Sequence, residues 1–379
     1  MPDALPCQRH LFDMPREVAY LNTAYMGPLP LESVEAGLAG ARRKQRPWEL
    51  TPAHFFDESE TARTLFAELM RADAEGVAIV PSASYGVGVA AMNLPLRPGS
   101  TVVTLKDQFP SNVYPWRRAA AEAGAQVAAV DVSEGDPTEA VLAAIDARCA
   151  VAALPHALWT SGARLDLERI ARRCRETGAG LALDLTQSAG ALNLDLGAVR
   201  PDFAVAAAYK WLLGPYSVGF LWVAPERREG RPLEENWVVR AGAGDFARLI
   251  DYADRYMPGA RRFDMGERAN FALMPAALAS LRLLLRWGPA RVEATLGRMN
   301  ARIADKAARL GLAAPAAARR APHFLSLLLP EDAPEDLVER LAAERVHVSR
   351  RGRSLRVTPH LWCDEQDEDR LIEALRRML

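Results

Sequence analysis

The sequence predicts an α/β protein built around a mostly parallel, doubly wound sheet. Short runs rich in Val, Ala and Leu alternate with helical patterns through the first two thirds of the chain, as in folds with crossover helices between parallel strands. The runs are apolar throughout, which is expected of strands covered on both faces. The chain has 379 residues, 50% of them hydrophobic, enough for a large core and more than one domain.

The strands and helices of this sheet follow one another in order along the chain. Strands are predicted at Val77–Val80, Thr101–Leu105, Gln126–Val130, Ala150–Leu154, Gly180–Asp184, Phe203–Ala206 and Val218–Val223. Between them, helices are predicted at Tyr85–Asn93, Val113–Ala123, Thr138–Asp146 and Asp166–Thr177. The regular alternation supports a single large α/β domain.

Helical patterns flank this block on both sides, and a smaller unit follows. The predicted flanking helices are Leu31–Arg46, Phe55–Arg71, Phe271–Trp287 and Ala290–Leu310. In the smaller unit, strands are predicted at His323–Leu329, Val346–Ser349 and Leu355–Val357, and helices at Pro334–Glu344 and Glu365–Leu379. We therefore expect a large domain over residues 31–287 and a small α+β domain over 288–379, with an N-terminal segment, 1–30, beside the small domain.

Composition excludes several classes of function. The net charge is −1 with 25% charged residues, so no basic excess indicates a nucleic-acid partner. No apolar stretch reaches membrane-spanning length, and the N-terminus lacks the basic and apolar regions of a signal peptide, so we expect a cytoplasmic protein without a membrane partner. The four cysteines are scattered, which indicates neither a disulfide framework nor a zinc site, and no metal is expected.

Lys210 stands out because the chain has only four lysines among 47 basic residues, and this one lies in an apolar run, Phe203–Pro215. A buried ammonium is costly unless it is paired, deprotonated or used covalently. Lysine forms imines and arginine does not, so a lysine in this place indicates amine chemistry. The alternative is a lysine whose stem packs against the core while its head reaches water.

Asp184 ends a predicted strand, 26 positions before Lys210, with one strand between them. Ligands of open α/β sheets bind outside the carboxyl ends of the strands, so both groups are expected at one edge. Pyridoxal phosphate (PLP) requires this pair: a lysine for its aldehyde and an acid that keeps its ring nitrogen protonated. The alternative for Asp184 is a helix N-cap.

Three further segments follow predicted strands and contain groups suited to this cofactor. Pro81–Gly86 opens a helix, whose N–H groups and hydroxyls bind phosphate. Gln108–Trp116 contains Phe109, which can stack on the ring, and His156–Gly162 adds hydroxyls, including Ser161. Each segment has an ordinary alternative, such as a capped helix start or a core aromatic residue.

With these motifs the chain resembles the class V aminotransferase family of fold-type I PLP enzymes, which includes cysteine desulfurases, kynureninases and isopenicillin N epimerase-like proteins. The similarity runs from Tyr20–Pro28 to the C-terminus, and its most specific segments are Asp184–Gly190, Tyr209–Pro215 and Leu355–His360. The resemblance implies the fold-type I architecture, in which helices sandwich the large sheet and a smaller α+β domain follows.

The resemblance also implies roles for individual residues. Lys210 corresponds to the Schiff-base lysine, Asp184 to the partner of the pyridine nitrogen and Gln187 to the donor to the cofactor's phenolic oxygen. Arg356 matches the arginine that binds the substrate α-carboxylate, a role suited to its bidentate fork. Asn22 lies in the N-terminal segment that approaches the substrate in this family.

At the cofactor's ring and phosphate, the implied residues resemble those of kynureninases. Phe109 occupies the ring-stacking position, and the Ala83 amide and Ser84 occupy the phosphate loop. Tyr209 and Trp237 resemble kynureninase residues that reach the phosphate.

Some positions depart from the family patterns. Desulfurases carry a catalytic cysteine before the arginine strand, but here Arg350–Arg353 contains none and Cys363 comes after it, which disfavours a desulfurase. Trp159 stands where desulfurases have asparagine and kynureninases an aromatic residue. Asn112 stands where kynureninase has an acid, which weakens an assignment as kynureninase itself.

A homodimer is expected, because active sites of this family are completed across the subunit interface. The segment Arg262–Asn270 stands where the family usually has Gly-Thr for the neighbouring subunit's phosphate. Arg268 or Asn270 is expected to make that contact instead.

The sequence therefore predicts a PLP enzyme that acts on a small amino-acid substrate, with Lys210 moving a proton at the α-carbon. Transamination, epimerisation and β-elimination remain open. Two alternatives compete: an NAD(P)-dependent oxidoreductase that uses Gly86 and Gly88 of a G-x-G-x-x-A match, and a PLP-fold binding protein without catalysis.

Overall fold

A seven-stranded sheet forms the centre of the protein in the computed structural model, which describes residues 3–379. Its strands lie side by side in the order β2 (Val77–Val80), β8 (Gly219–Val223), β7 (Phe203–Ala207), β6 (Gly180–Asp184), β5 (Cys149–Pro155), β3 (Thr101–Leu105) and β4 (Gln126–Val130). β8 runs antiparallel to both of its neighbours, β2 and β7, and the other six strands of this sheet share one direction. The predicted α/β class with a mostly parallel sheet is confirmed.

Helices cover both faces of the sheet, which explains its continuous apolar strands. One core contains side chains from α3 (Ala83–Asn93) and α4 (Tyr114–Ala123), and the other contains side chains from α2 (Asp57–Met70), α5 (Pro137–Ala144), α6 (Leu167–Thr177), α7 (Leu196–Val199) and α8 (Leu273–Trp287). Helix α1 (Leu31–Arg43) packs on α8. Within residues 3–379, no helix is both long and apolar enough to cross a membrane.

The C-terminal region forms a second, smaller sheet. After the long helix α9 (Pro289–Ala308), the strands β9 (Leu325–Leu328), β11 (Ser349–Arg351) and β12 (Ser354–Val357) pair antiparallel, with α10 (Leu337–Ala343) and α11 (Glu365–Met378) beside them. The short strand β10 (Val346–His347) pairs instead with β1 (Ala19–Tyr20), so the N-terminal segment packs on the C-terminal region.

One predicted strand is wrong in its extent. Val346–Ser349 is not continuous, because β10 and β11 pair with different partners and Val348 lies between them. The remaining predicted strands and helices are present, with ends that differ by at most a few residues.

Candidate active site

A cavity of about 360 Å³ opens at the carboxyl edge of the central sheet, where open α/β sheets bind ligands. It is surrounded by the segments that follow β2, β3, β5, β6 and β7 and by the turn before β8. The predicted site residues that line it are Ala83, Ser84, Phe109, Trp159, Asp184, Gln187, Tyr209 and Lys210. The parallel strand direction brings these residues together although they lie up to 127 positions apart in the sequence.

Lys210 follows β7 and is buried, with 7% of its surface exposed. Burial lowers the pKa of Lys210 to about 8; Asp184 opposes this shift, and the positive charges of Arg356 and Arg351 add to it. Its Nζ lies 5.4 Å from the ring centroid of Phe109. No hydrogen bond or ion pair holds this nitrogen within residues 3–379, so the amine is available for chemistry.

The loop that carries Lys210 is fixed by the N-terminal segment. The N–H of Gly27 donates to the carbonyl of Tyr209 at 2.8 Å. A Cβ at position 27 would lie 2.1 Å from the Lys210 carbonyl oxygen, so only glycine permits this approach. Leu213, on the same loop, has φ of +53°, a strained conformation for a branched residue. The lysine is therefore positioned by tight packing and not by a flexible loop.

Asp184 and Gln187 lie together after β6. The N–H of Thr186 donates to Asp184 Oδ1 at 3.0 Å, and no other protein donor in residues 3–379 reaches this carboxylate. Gln187 Oε1 accepts from Trp211 Nε1 at 2.9 Å, and Gln187 Nε2 donates to Ala24 O at 3.0 Å. Because an indole nitrogen is only a donor, Trp211 fixes which end of the amide is the oxygen. The remaining Nε2 hydrogen of Gln187 stays free for a ligand.

Trp211 is a site residue that sequence reasoning missed. It is fully buried, and its ring also packs edge-on against His323 at 4.3 Å. Its spacing of 24 residues from Gln187 carries no periodic signal, so only the fold reveals the contact.

The N-terminus of α3 forms another wall of the cavity. Ser82 is the N-cap: its Oγ accepts from the N–H of Tyr85 at 3.2 Å and lies 2.9 Å from Ser84 Oγ. The N–H groups of the first helical turn have no partner inside a helix, so those of Ala83 and Ser84 can bind an anion. The aromatic ring of Tyr209 also lines the cavity. Ser82 was not named individually, but it lies in the predicted segment Pro81–Gly86, for which a capped helix start was the alternative interpretation.

Phe109 and Trp159 are aromatic neighbours at the rim of the cavity. Their rings meet edge to face with centroids 5.5 Å apart, and Trp159 Nε1 donates to the Asp107 carbonyl at 2.7 Å. Asp107 has φ of +58° and turns the chain sharply after β3. Gln108 lines the same wall, and its buried Nε2 has no partner within residues 3–379.

Arg356, on β12, is buried without an acidic partner anywhere in residues 3–379. Its Nε and Nη2 donate to Ser349 Oγ at 2.9 and 2.7 Å, and its Nη1 donates to the Trp159 carbonyl at 2.7 Å. These contacts use three of the five N–H groups of the guanidinium and leave two free. Burial, with the nearby charge of Arg351, lowers the pKa of Arg356 to about 10, so a buried cation here lacks its anion.

Asn22 and Ser161 lie outside the lining of the cavity. The backbone of Asn22 forms an isolated parallel β-bridge with Thr358, and its Nδ2 donates to Val348 O at 3.4 Å. Its buried Oδ1 has no partner within residues 3–379. Ser161 Oγ accepts from the N–H of Ala163 at 3.3 Å, within its own turn. This hydrogen bond stabilises the turn, which is a structural role for the hydroxyl.

Trp237, Arg268 and Asn270 line a different cavity, of about 640 Å³. Arg268 is fully buried and forms an ion pair with Asp264, which also pairs with Arg63. Asn270 is exposed, and its Oδ1 caps the start of α8. None of these three residues therefore joins Lys210; Trp237 and Asn270 are exposed, and Arg268 is buried.

Cysteine is missing from the lining of the main cavity. Cys363 is buried, and its Sγ donates to Tyr20 O at 3.3 Å. Burial raises the pKa of its thiol well above the ordinary value, which disfavours a nucleophilic role.

The glycines of the possible NAD(P) motif also have another explanation. Gly86 and Gly88 lie inside α3, and a Cβ on Gly86 would come within 2.6 Å of Val205. Gly86 thus permits close packing of the helix on the sheet. The dinucleotide interpretation receives no support from this geometry.

The residues of the main cavity fit PLP. A buried lysine without a partner faces the side of the cavity that contains a carboxylate, and a helix N-terminus provides anion-binding N–H groups. The Nε2 of Gln108 in this cavity has no partner within residues 3–379 and requires a polar ligand. Arg356 lies outside the cavity lining and reaches it through the backbone of Trp159, and its guanidinium has no acidic partner among the same residues.

Comparisons with known proteins agree with this chemistry. The model of the aminotransferase class-V family matches residues 48–360. Isopenicillin N epimerase from Streptomyces clavuligerus is 27% identical over 94% of both chains. Kynureninase from Deinococcus radiodurans is 30% identical over 70% of this chain and 65% of its own.

Solved structures share the fold at lower identity. A C-DES mutant with glycine covalently linked to the PLP cofactor superposes over 100% of both chains, with a TM-score of 0.85 and 21% identity. An apo cysteine desulfurase from Thermococcus onnurineus covers 99% of both chains, with a TM-score of 0.84 and 17% identity. This chain therefore belongs to the class-V aminotransferase family of PLP-dependent enzymes.

Proposed function

We propose that this protein catalyses a reaction at the α-carbon of an amino acid and that Lys210 holds PLP through its amine. The observation that carries this proposal is the buried, unpaired Lys210 with a pKa near 8, in one cavity with Asp184. A structural lysine in this position would be expected to pair or to reach water.

Bound PLP supplies an electron sink for bond cleavage at the substrate's α-carbon. Asp184 would pair with the ring nitrogen, Phe109 would pack against the ring, and Gln187 would donate its free N–H to the phenolic oxygen. At the phosphate end, the N-terminus of α3 with Ala83 and Ser84 provides donors, together with the hydroxyl of Tyr209.

Lys210 also acts as the base in this proposal, after the substrate's amine has displaced its Nζ from the cofactor and freed it. The lowered pKa leaves an appreciable fraction of Nζ unprotonated near neutral pH, so it can take a proton from the α-carbon and return it. The fixed loop described above keeps Nζ in place during this transfer.

Arg356 binds the substrate α-carboxylate with its two free N–H groups. Its other contacts, to Ser349 and to the Trp159 backbone, hold the guanidinium plane in one orientation. Trp159, which lines the cavity, contacts the rest of the substrate. Asn22 lies outside the lining, and its buried Oδ1, without a partner within residues 3–379, is the atom assigned to a substrate contact. A fixed carboxylate sets which bond at the α-carbon is cleaved.

After proton removal, transamination, epimerisation and β-elimination are the candidate outcomes. Persulfide formation by a protein cysteine is disfavoured, because Cys363 is buried and no cysteine lines the cavity. A binding protein without catalysis would not need a lysine with a lowered pKa beside an acid.

A homodimer forms part of the proposal. The exposed Asn270, with Trp237, is placed to complete the partner subunit's phosphate site; the buried Arg268 is already paired with Asp264. Mixing Lys210→Ala with Asn270→Ala subunits tests this idea: if sites are shared, one of the two sites in the mixed dimer regains both residues. Activity in the mixture that never exceeds the sum of the separate variants contradicts it.

The reaction type is tested by incubating the holoenzyme with single amino acids in D₂O. Exchange of the α-proton, followed by NMR, identifies substrates whatever the later steps are. Formation of keto acid, of the opposite enantiomer or of a β-cleaved product then distinguishes the three outcomes. A holoenzyme that exchanges no α-proton of any amino acid contradicts the proposal.

A further inference from the structure

Arg351 lies on the same face of the small sheet as Arg356. In the β11–β12 pair, Ser349 is opposite Arg356 and Arg351 is opposite Ser354. Because side chains alternate along a strand, all four project from one face. That face meets the loop of Trp159: Arg356 Nη1 contacts the Trp159 carbonyl, and Ser354 Oγ donates to the carbonyl of Thr160 at 3.1 Å.

The two guanidiniums flank one aromatic ring at the rim of the cavity. Their central carbons lie 5.3 Å (Arg351) and 5.9 Å (Arg356) from the ring centroid of Trp159. Their separation is therefore at most the sum of these distances. The positive charge of Arg351 lowers the pKa of both Arg356 and Lys210, as expected of a cation close to the cavity.

Arg351 has no acidic partner in the described part of the chain. Within residues 3–379, the only hydrogen bond of its side chain goes from Nη1 to the carbonyl of Arg350 at 2.7 Å. The neighbouring arginines are engaged: Arg350 donates to Pro334 O and Gly352 O, and Arg353 pairs with Glu331. Arg351 is exposed and Arg356 is buried, and neither has an acidic partner within residues 3–379. The two like charges repel each other, and an anion that binds to both relieves this repulsion.

We propose that Arg351 binds a second carboxylate, at the side-chain end of the substrate, so that the preferred substrates are amino dicarboxylic acids. This inference rests on the proposed function, in which Arg356 binds the α-carboxylate. One substrate molecule then neutralises both cations, and Trp159 packs against the chain between its two acidic ends.

The test compares acidic amino acids with neutral ones of similar shape. L-glutamate and L-2-aminoadipate are titrated into the PLP-loaded protein beside L-glutamine, L-norleucine and L-lysine, and binding is followed by the change in the cofactor absorbance band. The variants are Arg351→Gln, Arg351→Glu and, as a matched control, Arg353→Gln, which removes the same charge from the same hairpin.

We expect the unaltered protein to prefer the dicarboxylates. Arg351→Gln is expected to weaken the binding of the dicarboxylates roughly tenfold or more, because one charge-assisted hydrogen bond is lost. Binding of the neutral amino acids is expected to change little. Arg351→Glu is expected to reverse the preference in favour of L-lysine, and Arg353→Gln to behave like the unaltered protein.

Two results overturn the inference. The first is that the unaltered protein shows no preference for dicarboxylates. The second is that Arg351→Gln loses equal binding affinity for acidic and neutral amino acids, which indicates that Arg351 has only a structural role. Either can occur while the cofactor band is present and amino acids still perturb it, in which case the proposed function stands. Absence of any cofactor band refutes the proposed function and this inference with it.

Discussion

Replacing Arg356 with glutamine tests how the protein recognises the substrate α-carboxylate. The side chain is buried and has no acidic partner in residues 3–379; three of its N–H groups bind Ser349 and the Trp159 backbone. The two free N–H groups are the ones assigned to the substrate. Glutamine removes the charge and the fork but keeps a polar side chain in the space.

The size of the effect follows from those two donors. Each hydrogen bond to a charged group contributes about 1.5–3 kcal/mol, so losing both weakens substrate binding by about 3 kcal/mol or more, roughly a hundredfold. Loss of the contacts to Ser349 and to the Trp159 carbonyl, which the same charged group makes, lowers the free energy of unfolding by about 1.5 kcal/mol or more each, but this loss is the same whichever ligand is offered. The effect on recognition is therefore separable from the effect on stability.

The assay compares an amino acid with the amine that lacks its α-carboxylate, in both the unaltered protein and Arg356→Gln. We expect the unaltered protein to favour the amino acid strongly and the variant to treat both compounds nearly alike. Circular dichroism and the cofactor absorbance band serve as controls for folding and loading. A variant that folds, binds PLP and still discriminates by a hundredfold refutes the assigned role.

Three further predictions follow from the same geometry. Asp184→Asn is expected to retain PLP but to slow α-proton exchange in D₂O about a hundredfold, because the charge opposite the ring nitrogen is lost; an unchanged exchange rate contradicts this. Burial lowers the pKa of Lys210 to about 8, so the rate of PLP uptake by the apoprotein is expected to rise with pH and to become constant above pH of about 8. A rate that still rises beyond pH of about 10 contradicts the lowered pKa of this amine. Asp264→Asn is expected to lower the free energy of unfolding, measured with urea, by about 3 kcal/mol, because the buried guanidiniums of Arg63 and Arg268 lose the carboxylate that they share and keep only Glu60 as an acidic partner within residues 3–379; a loss below about 1 kcal/mol contradicts this.

The central sheet was predictable from sequence because its strands are buried on both faces. The apolar runs Val77–Val80, Thr101–Leu105 and Gly180–Asp184 have the same ends in the structure as in the prediction. The region around Val348 was not predictable, since its strands are short, lie at edges and pair with different partners. Strand pairing of this kind depends on tertiary contacts and not on local pattern.

Those site residues that follow the carboxyl ends of parallel strands were predictable, because these ends meet at one edge of the sheet. Lys210 and Asp184 could be brought together by that rule alone. The hydrogen bond from Trp211 to Gln187 could not, because it joins two loops without any periodic spacing. The burial of Arg268 could not be foreseen either, because its partner Asp264 occupies an ordinary polar stretch of sequence.

The central claim is that Lys210 is the residue that holds PLP. The most direct measurement is borohydride reduction of the PLP-loaded protein, followed by peptide mapping by mass spectrometry. The chain has only four lysines, so each is assigned without ambiguity. We predict a pyridoxyl group on Lys210 and no specific labelling in Lys210→Ala. Labelling of Lys44, Lys106 or Lys306 instead, or no labelling of the unaltered protein, contradicts the account.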